Sequence, residues 1–124
     1  MKNYVAPFYK DPVGPLASSP SAKRYAGNPL LTSAQVPFSC NLAFNAGVTK
    51  FNGRYYMAFR YDKFLENERD KGLEMSGSGL AESDDGLHWS AHDQPIKFHW
   101  KGQILDWVND ARLTVLEGKM YLSF

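Results

Sequence analysis

Residues 45–59 (NAGVTKFNGRYYMAF) recur 65 positions later as residues 110–124 (DARLTVLEGKMYLSF), and a chain holding this repeat has few folds open to it. Five of the fifteen paired positions are identical and six more are close in chemistry. In each copy a short apolar run meets a turn, Asn52-Gly53 or Glu117-Gly118, and returns as a second run. Asn-Gly between two strands is a strong hairpin signal, because both central residues need positive φ. Tyr55, Met57 and Phe59 alternate with Arg54, Tyr56 and Ala58; Met120, Leu122 and Phe124 alternate with Lys119, Tyr121 and Ser123. A period of two puts one row on a buried face and the other row on the opposite face. A repeat of this size built from short strands predicts an all-β fold, a β-propeller blade or a related array.

Composition closes off several function classes. The 14 basic and 13 acidic residues leave a net charge of +1, which gives no electrostatic case for nucleic acid or an anionic membrane. No apolar run approaches the ~18 residues needed to span a bilayer. The first ten residues hold no apolar core of signal-peptide length. The single cysteine, Cys40, has no partner for an internal disulfide and reads as a small packed residue. Together these features place the expected location in the cytoplasm. His88, His92 and His99 lack metal-ligand spacing, and there is no Gly-rich phosphate loop and no Ser nucleophile elbow, so no metal or cofactor is expected.

Residues 1–37 carry six of the seven prolines and read as an extended leader that wraps or closes a sheet edge. Residues 38–124 then read as the first blade and the start of the second. The expected strands run from about 46 to 51, 54 to 60, 78 to 83 and 87 to 90. The charged run 61–72 is open to two readings, a short helix or a solvated loop, with the loop preferred. In Ser83-x-Asp85-Gly86-x-x-Trp89 the Asp caps turn amides, Gly takes positive φ and Trp packs over the loop. Residues 91–108 read as a linker. A closed propeller needs at least four blades, so the expectation is that 124 residues supply about one and a half blades of a longer protein.

The repeat sets Asn45 against Asp110, each just before the innermost strand of its blade. In a propeller such positions face the central funnel, so the two polar residues are expected to converge on one cavity. A carboxylate there, flanked by Trp107 and Val108, is a candidate general acid. The competing reading has Asp110 capping its strand or pairing with Arg112. Arg60, at the end of the second strand, offers a fork of donors for a sugar hydroxyl or an anion; the competing reading is an ion pair with Asp62. Trp100 and Trp107 suit either a sugar platform or buried packing.

Four segments, residues 28–32 (NPLLT), 44–60 (FNAGVTKFNGRYYMAFR), 79–89 (GLAESDDGLHW) and 110–114 (DARLT), give the chain a resemblance to glycoside hydrolase family 130, the β-mannoside phosphorylases and β-mannosidases. Asn109 and Ala111 stand where that family often has an aromatic or acidic residue and a Pro. The resemblance implies a five-bladed β-propeller and an inverting phosphorolysis. Inorganic phosphate attacks the anomeric carbon of a β-mannoside while one Asp protonates the leaving oxygen. The matching Asp is Asp110, and Asn45 and Arg60 match positions lining the sugar site. The expected partners are a β-mannoside oligosaccharide and phosphate, with a homo-oligomer open. The residues that grip phosphate are expected from later blades, so the 124-residue chain alone is expected to be inactive. Two alternatives remain: a β-mannosidase or another five-bladed glycosidase, and an inactive or binding-only fragment.

Overall fold

The computed structural model describes residues 19–124, so part of the expected leader lies outside the described residues. The chain is mostly antiparallel β, with a few short 3₁₀ turns. Four strands, β1 (Leu42–Phe51), β2 (Arg54–Phe64), β3 (Leu73–Ser83) and β4 (Ser90–Ala91), form one sheet in the order β1-β2-β3-β4. Two hairpins follow, β5 (Phe98–Trp100) with β6 (Gln103–Leu105), and β7 (Arg112–Leu116) with β8 (Lys119–Ser123). Among the described residues no helix is long and apolar enough to cross a membrane.

Both repeat hairpins close through two-residue loops with positive φ at each central residue, 49° and 85° at Asn52-Gly53, 49° and 70° at Glu117-Gly118. That geometry matches the twist of the flanking strands, which is why the same turn serves both copies. Met57, Phe59 and Tyr61 of β2 point into one core with Val36 and Ala81, roofed by Leu31, Phe38, Trp89 and Ala91. The other face of the same strands is also covered: Ala58, Ser76, Ser78, Val108 and Ala111 are all buried. The sheet is thus packed on both sides, with apolar side chains on one and small or hydroxyl side chains on the other.

Several expected boundaries move, the first being β1, which begins at Leu42 and not near residue 46. The charged run does not begin at residue 61; β2 continues to Phe64 and β3 starts at Leu73, with two 3₁₀ turns between them. Cross-strand pairs make this possible, since Lys63 Nζ lies 2.6 Å from Glu74 Oε1 and Asp62 accepts from Ser76 Oγ at 2.6 Å. The stretch read as a linker contains the β5–β6 hairpin, turned by Lys101-Gly102 with φ of 47° and 79°. The fourth strand is Ser90–Ala91 and not 87–90, because the turn before it keeps the amides of Leu87 and His88 for Asp85.

That turn follows the expected chemistry. Asp85 Oδ1 accepts from the Leu87 and His88 amides, each at 2.8 Å, Gly86 has φ 77°, and Trp89 Nε1 donates to the Gly86 carbonyl at 3.1 Å. The amide of His88, then its imidazole and the Leu87 amide, hold the Asp85 carboxyl well below the usual carboxylate range. A lowered folded-state value stabilises the fold above the unfolded Asp value of ~3.9 and is lost as pH falls below it. The Asp85 side chain is solvent-accessible, so the effect is modest. In an acid titration of Tm, the gap between wild type and Asp85→Asn should narrow steadily below about pH 4. Parallel curves down to pH 2 would show that the turn contributes nothing through this charge.

Candidate functional site

The repeat-equivalent residues Asn45 and Asp110 meet directly: Asn45 Nδ2 donates to Asp110 Oδ1 at 2.9 Å. Their backbones match as well, with φ of 50° at Asn45 and 56° at Asp110. Asn and Asp tolerate this left-handed conformation better than other residues with a side chain beyond hydrogen, which explains the Asn/Asp exchange between the copies. Asp110 precedes β7, as expected. Asn45 differs: it lies inside β1, at a bulge where the register passes from Phe44↔Arg60 to Gly47↔Ala58 and one extra residue is inserted. Such a bulge redirects a side chain out of the alternating pattern.

Arg112 fixes the junction. Its Nη1 lies 3.0 Å from the Asn45 carbonyl oxygen and 3.1 Å from those of Asp110 and Ala111. The guanidinium therefore holds backbone and leaves the Asp110 carboxylate to Asn45. Asp110 Oδ1 is engaged by Asn45, which leaves Oδ2 as the oxygen available for a further hydrogen bond.

The segment leading to Asp110 is strapped onto β3. Ser78 Oγ donates to the Val108 carbonyl at 2.9 Å. Ser76 Oγ lies 2.6 Å from Asp62 Oδ1 and 2.7 Å from the Asn109 side-chain oxygen position. One hydroxyl proton serves one acceptor, so Ser76 donates to the carboxylate and the Asn109 amide group, turned over, donates to Ser76. Asp62 in turn receives the fork of Arg60, with Nε at 3.0 Å from Oδ1 and Nη2 at 3.3 Å from Oδ2. The Arg60 guanidinium also stacks on the Phe44 ring, 4.9 Å from its centroid. The ion pair with Asp62 is therefore formed, yet it uses two of the five Arg donors and leaves three for a ligand.

The repeat predicts that Asn45 and Asp110 converge on one cavity; among the described residues the two side chains meet at an open surface. Both residues are exposed, since β1 is the edge of its sheet and β7 the edge of its hairpin. A cavity of about 280 Å³ touches Asn45 and Phe44, and one of about 360 Å³ lies behind the strap, bordered by Ser76, Ser78 and Trp107. Asp110 and Arg60 line neither of them. Trp107 and Trp100 are exposed, 52% and 63%, which removes the reading that they are buried packing residues.

Cys40 packs against the core, and burial with the nearby Asp62 charge pushes its thiol up to about 11, so it stays protonated at neutral pH, as a small packed residue would. Among the described residues no cluster of three His, Cys, Asp or Glu side chains could hold a metal. The role of Ser76 and Ser78 escaped the sequence reading, which weighed Asp62 only as a partner of Arg60 and Asn109 only as a departure from the family pattern; the available signal was the Ser-x-Ser spacing, which puts two hydroxyls on one face of a strand. No protein-family model matches the chain, and no curated protein gives a significant match.

Proposed function

We propose that the intact protein is an inverting glycoside phosphorylase acting on β-mannosides, with Asp110 as general acid and Asn45 and Arg60 in the sugar site. The observation that carries this reading is the Asn45–Asp110 hydrogen bond, formed between equivalent positions of two repeats that share one unusual backbone conformation. A four-strand antiparallel meander followed by a second hairpin in the same repeat register supports placing them in blades one and two of a five-bladed propeller. At the top of such a fold the starts of innermost strands gather around the axis, where a sugar binds.

The chemistry balances with one protein carboxyl. A phosphate oxygen forms a bond to the anomeric carbon, the glycosidic C–O bond breaks, and the Asp110 proton passes to the departing oxygen. The products are α-mannose 1-phosphate and the shortened sugar. This is the inverting arrangement with phosphate in place of an activated water, so no second carboxylate is required. Arg60, already anchored by Asp62, presents its remaining donors to a hydroxyl or to the anion.

The test is incubation of the intact protein with a β-mannosyl disaccharide, with and without inorganic phosphate. Mannose 1-phosphate formed only with phosphate is the expected result. Free mannose released at the same rate without phosphate would make the protein a hydrolase. Binding of the sugar with no turnover in either condition would leave a binding-only propeller.

A further inference from the structure

We infer that Ser76 and Ser78 are positioning residues that set the reach of the Asp110 carboxyl. This inference rests on the reading of Asp110 as the acid. The two hydroxyls lie on the same face of β3, two residues apart, and contact consecutive residues of the strap, the Val108 carbonyl and the Asn109 side chain. Both serines are almost fully buried, 2% and 1% exposed, among Ala58, Val108 and Ala111. In such surroundings Ala or Val would fill the space without desolvating a hydroxyl, which costs free energy unless the bond is made. Here both hydroxyls are satisfied and both touch the strap: Ser78 donates to the Val108 carbonyl, while Ser76 donates to Asp62 and accepts from the Asn109 side chain. Asp110 follows directly and is held from its other side by Asn45 and by Arg112. The acid thus hangs between a β3 anchor and a β1 anchor.

Ser76 also joins the strap to the sugar-site arginine. Asp62 takes both the Ser76 hydroxyl and the Arg60 fork, so one continuous chain of hydrogen bonds runs Arg60–Asp62–Ser76–Asn109 and ends beside Asp110. Moving the strap therefore moves the acid relative to Arg60. A displacement of this kind harms the step in which the proton is delivered and spares substrate binding.

The test compares wild type with Ser76→Ala/Ser78→Ala and, separately, Asn109→Ala in the intact protein. Asn109→Ala removes the Ser76 contact from the outer side and leaves the sheet interior untouched. Amide hydrogen exchange in peptides spanning 106–113 should accelerate about tenfold, while peptides spanning 54–62 keep wild-type exchange. In the phosphorolysis assay kcat should fall about tenfold at a KM within twofold of wild type. Unchanged exchange over 106–113 in both variants would overturn the positioning role. Faster exchange over 106–113 and 54–62 alike in both variants would also overturn it, since the serines would then be holding the sheet itself. Full activity in Asp110→Asn would sink the acid assignment and leave the exchange result standing, so the two ideas fail separately.

Discussion

Asp110→Asn should reduce phosphorolysis of a β-mannosyl disaccharide by ~1000-fold in kcat, with little change in KM. The substitution is close to isosteric, and its carbonyl oxygen can still accept from Asn45 Nδ2, so the 2.9 Å contact between the repeats survives. Only the transferable proton is lost. The loss should depend on the leaving group. A sugar alkoxide leaves poorly without protonation, whereas a nitrophenolate leaves almost unaided, so an aryl β-mannoside should recover much of the rate. Equal losses on both substrates would mean that Asp110 binds or shapes the site instead of delivering a proton. Unchanged turnover on the disaccharide would remove it from the chemistry altogether.

What the sequence made legible was local. The Asn52-Gly53 and Glu117-Gly118 turns, the alternation in β2 and β8 and the Asp85-Gly86 turn all follow from residues close together in the chain. What it hid depended on partners brought together by pairing. Asp62 and Lys63 look like the start of a solvated loop until β3 supplies Ser76 opposite Asp62 and Glu74 as an ion partner for Lys63. The three-residue strands β5 and β6 are too short for an alternation signal, and only the Lys101-Gly102 turn between them announces a hairpin.

The candidate site divides the same way. The repeat pointed to Asn45 and Asp110, and the two residues touch. It did not reveal that Asn45 sits on a bulge inside β1, because an inserted residue shows only in the register with the neighbouring strand. Both readings of Arg60 had a basis in spacing. The structure gives it the Asp62 pair, partly buried and stacked on Phe44, which orients the guanidinium without using all of it. Of the two structural roles weighed for Asp110 alongside catalysis, the pairing with Arg112 does not form, since that guanidinium takes carbonyl oxygens instead.

Gly47→Ala tests how closely the two repeats must approach for the proposed acid, Asp110, to be placed. Gly47 is the repeat partner of Arg112, so one copy has no side chain where the other has its longest. A methyl group added at Gly47 would stand 3.0 Å from the Ala111 carbonyl oxygen, 3.0 Å from Arg112 Cδ and 3.1 Å from Arg112 Cα. The arginine stem can swing aside, but two of these contacts are backbone, and Ala111 is fully buried. The strap must therefore recede from β1 by a few tenths of an ångström. That movement acts directly on the bonds from Asn45 to Asp110 and from Arg112 to the Asn45 carbonyl, both already near 3 Å. Overpacking of this kind should cost about 1–2 kcal/mol, seen as a small drop in Tm. Activity should suffer more, with kcat down by ~100-fold, because proton delivery depends steeply on the acid's position. Val48→Ala, at the exposed neighbouring position of β1, is the control and should stay near wild type. If Gly47→Ala lost stability but kept full kcat, contact between β1 and the strap would matter for the fold alone, and the alignment of Asn45 with Asp110 would have no catalytic consequence.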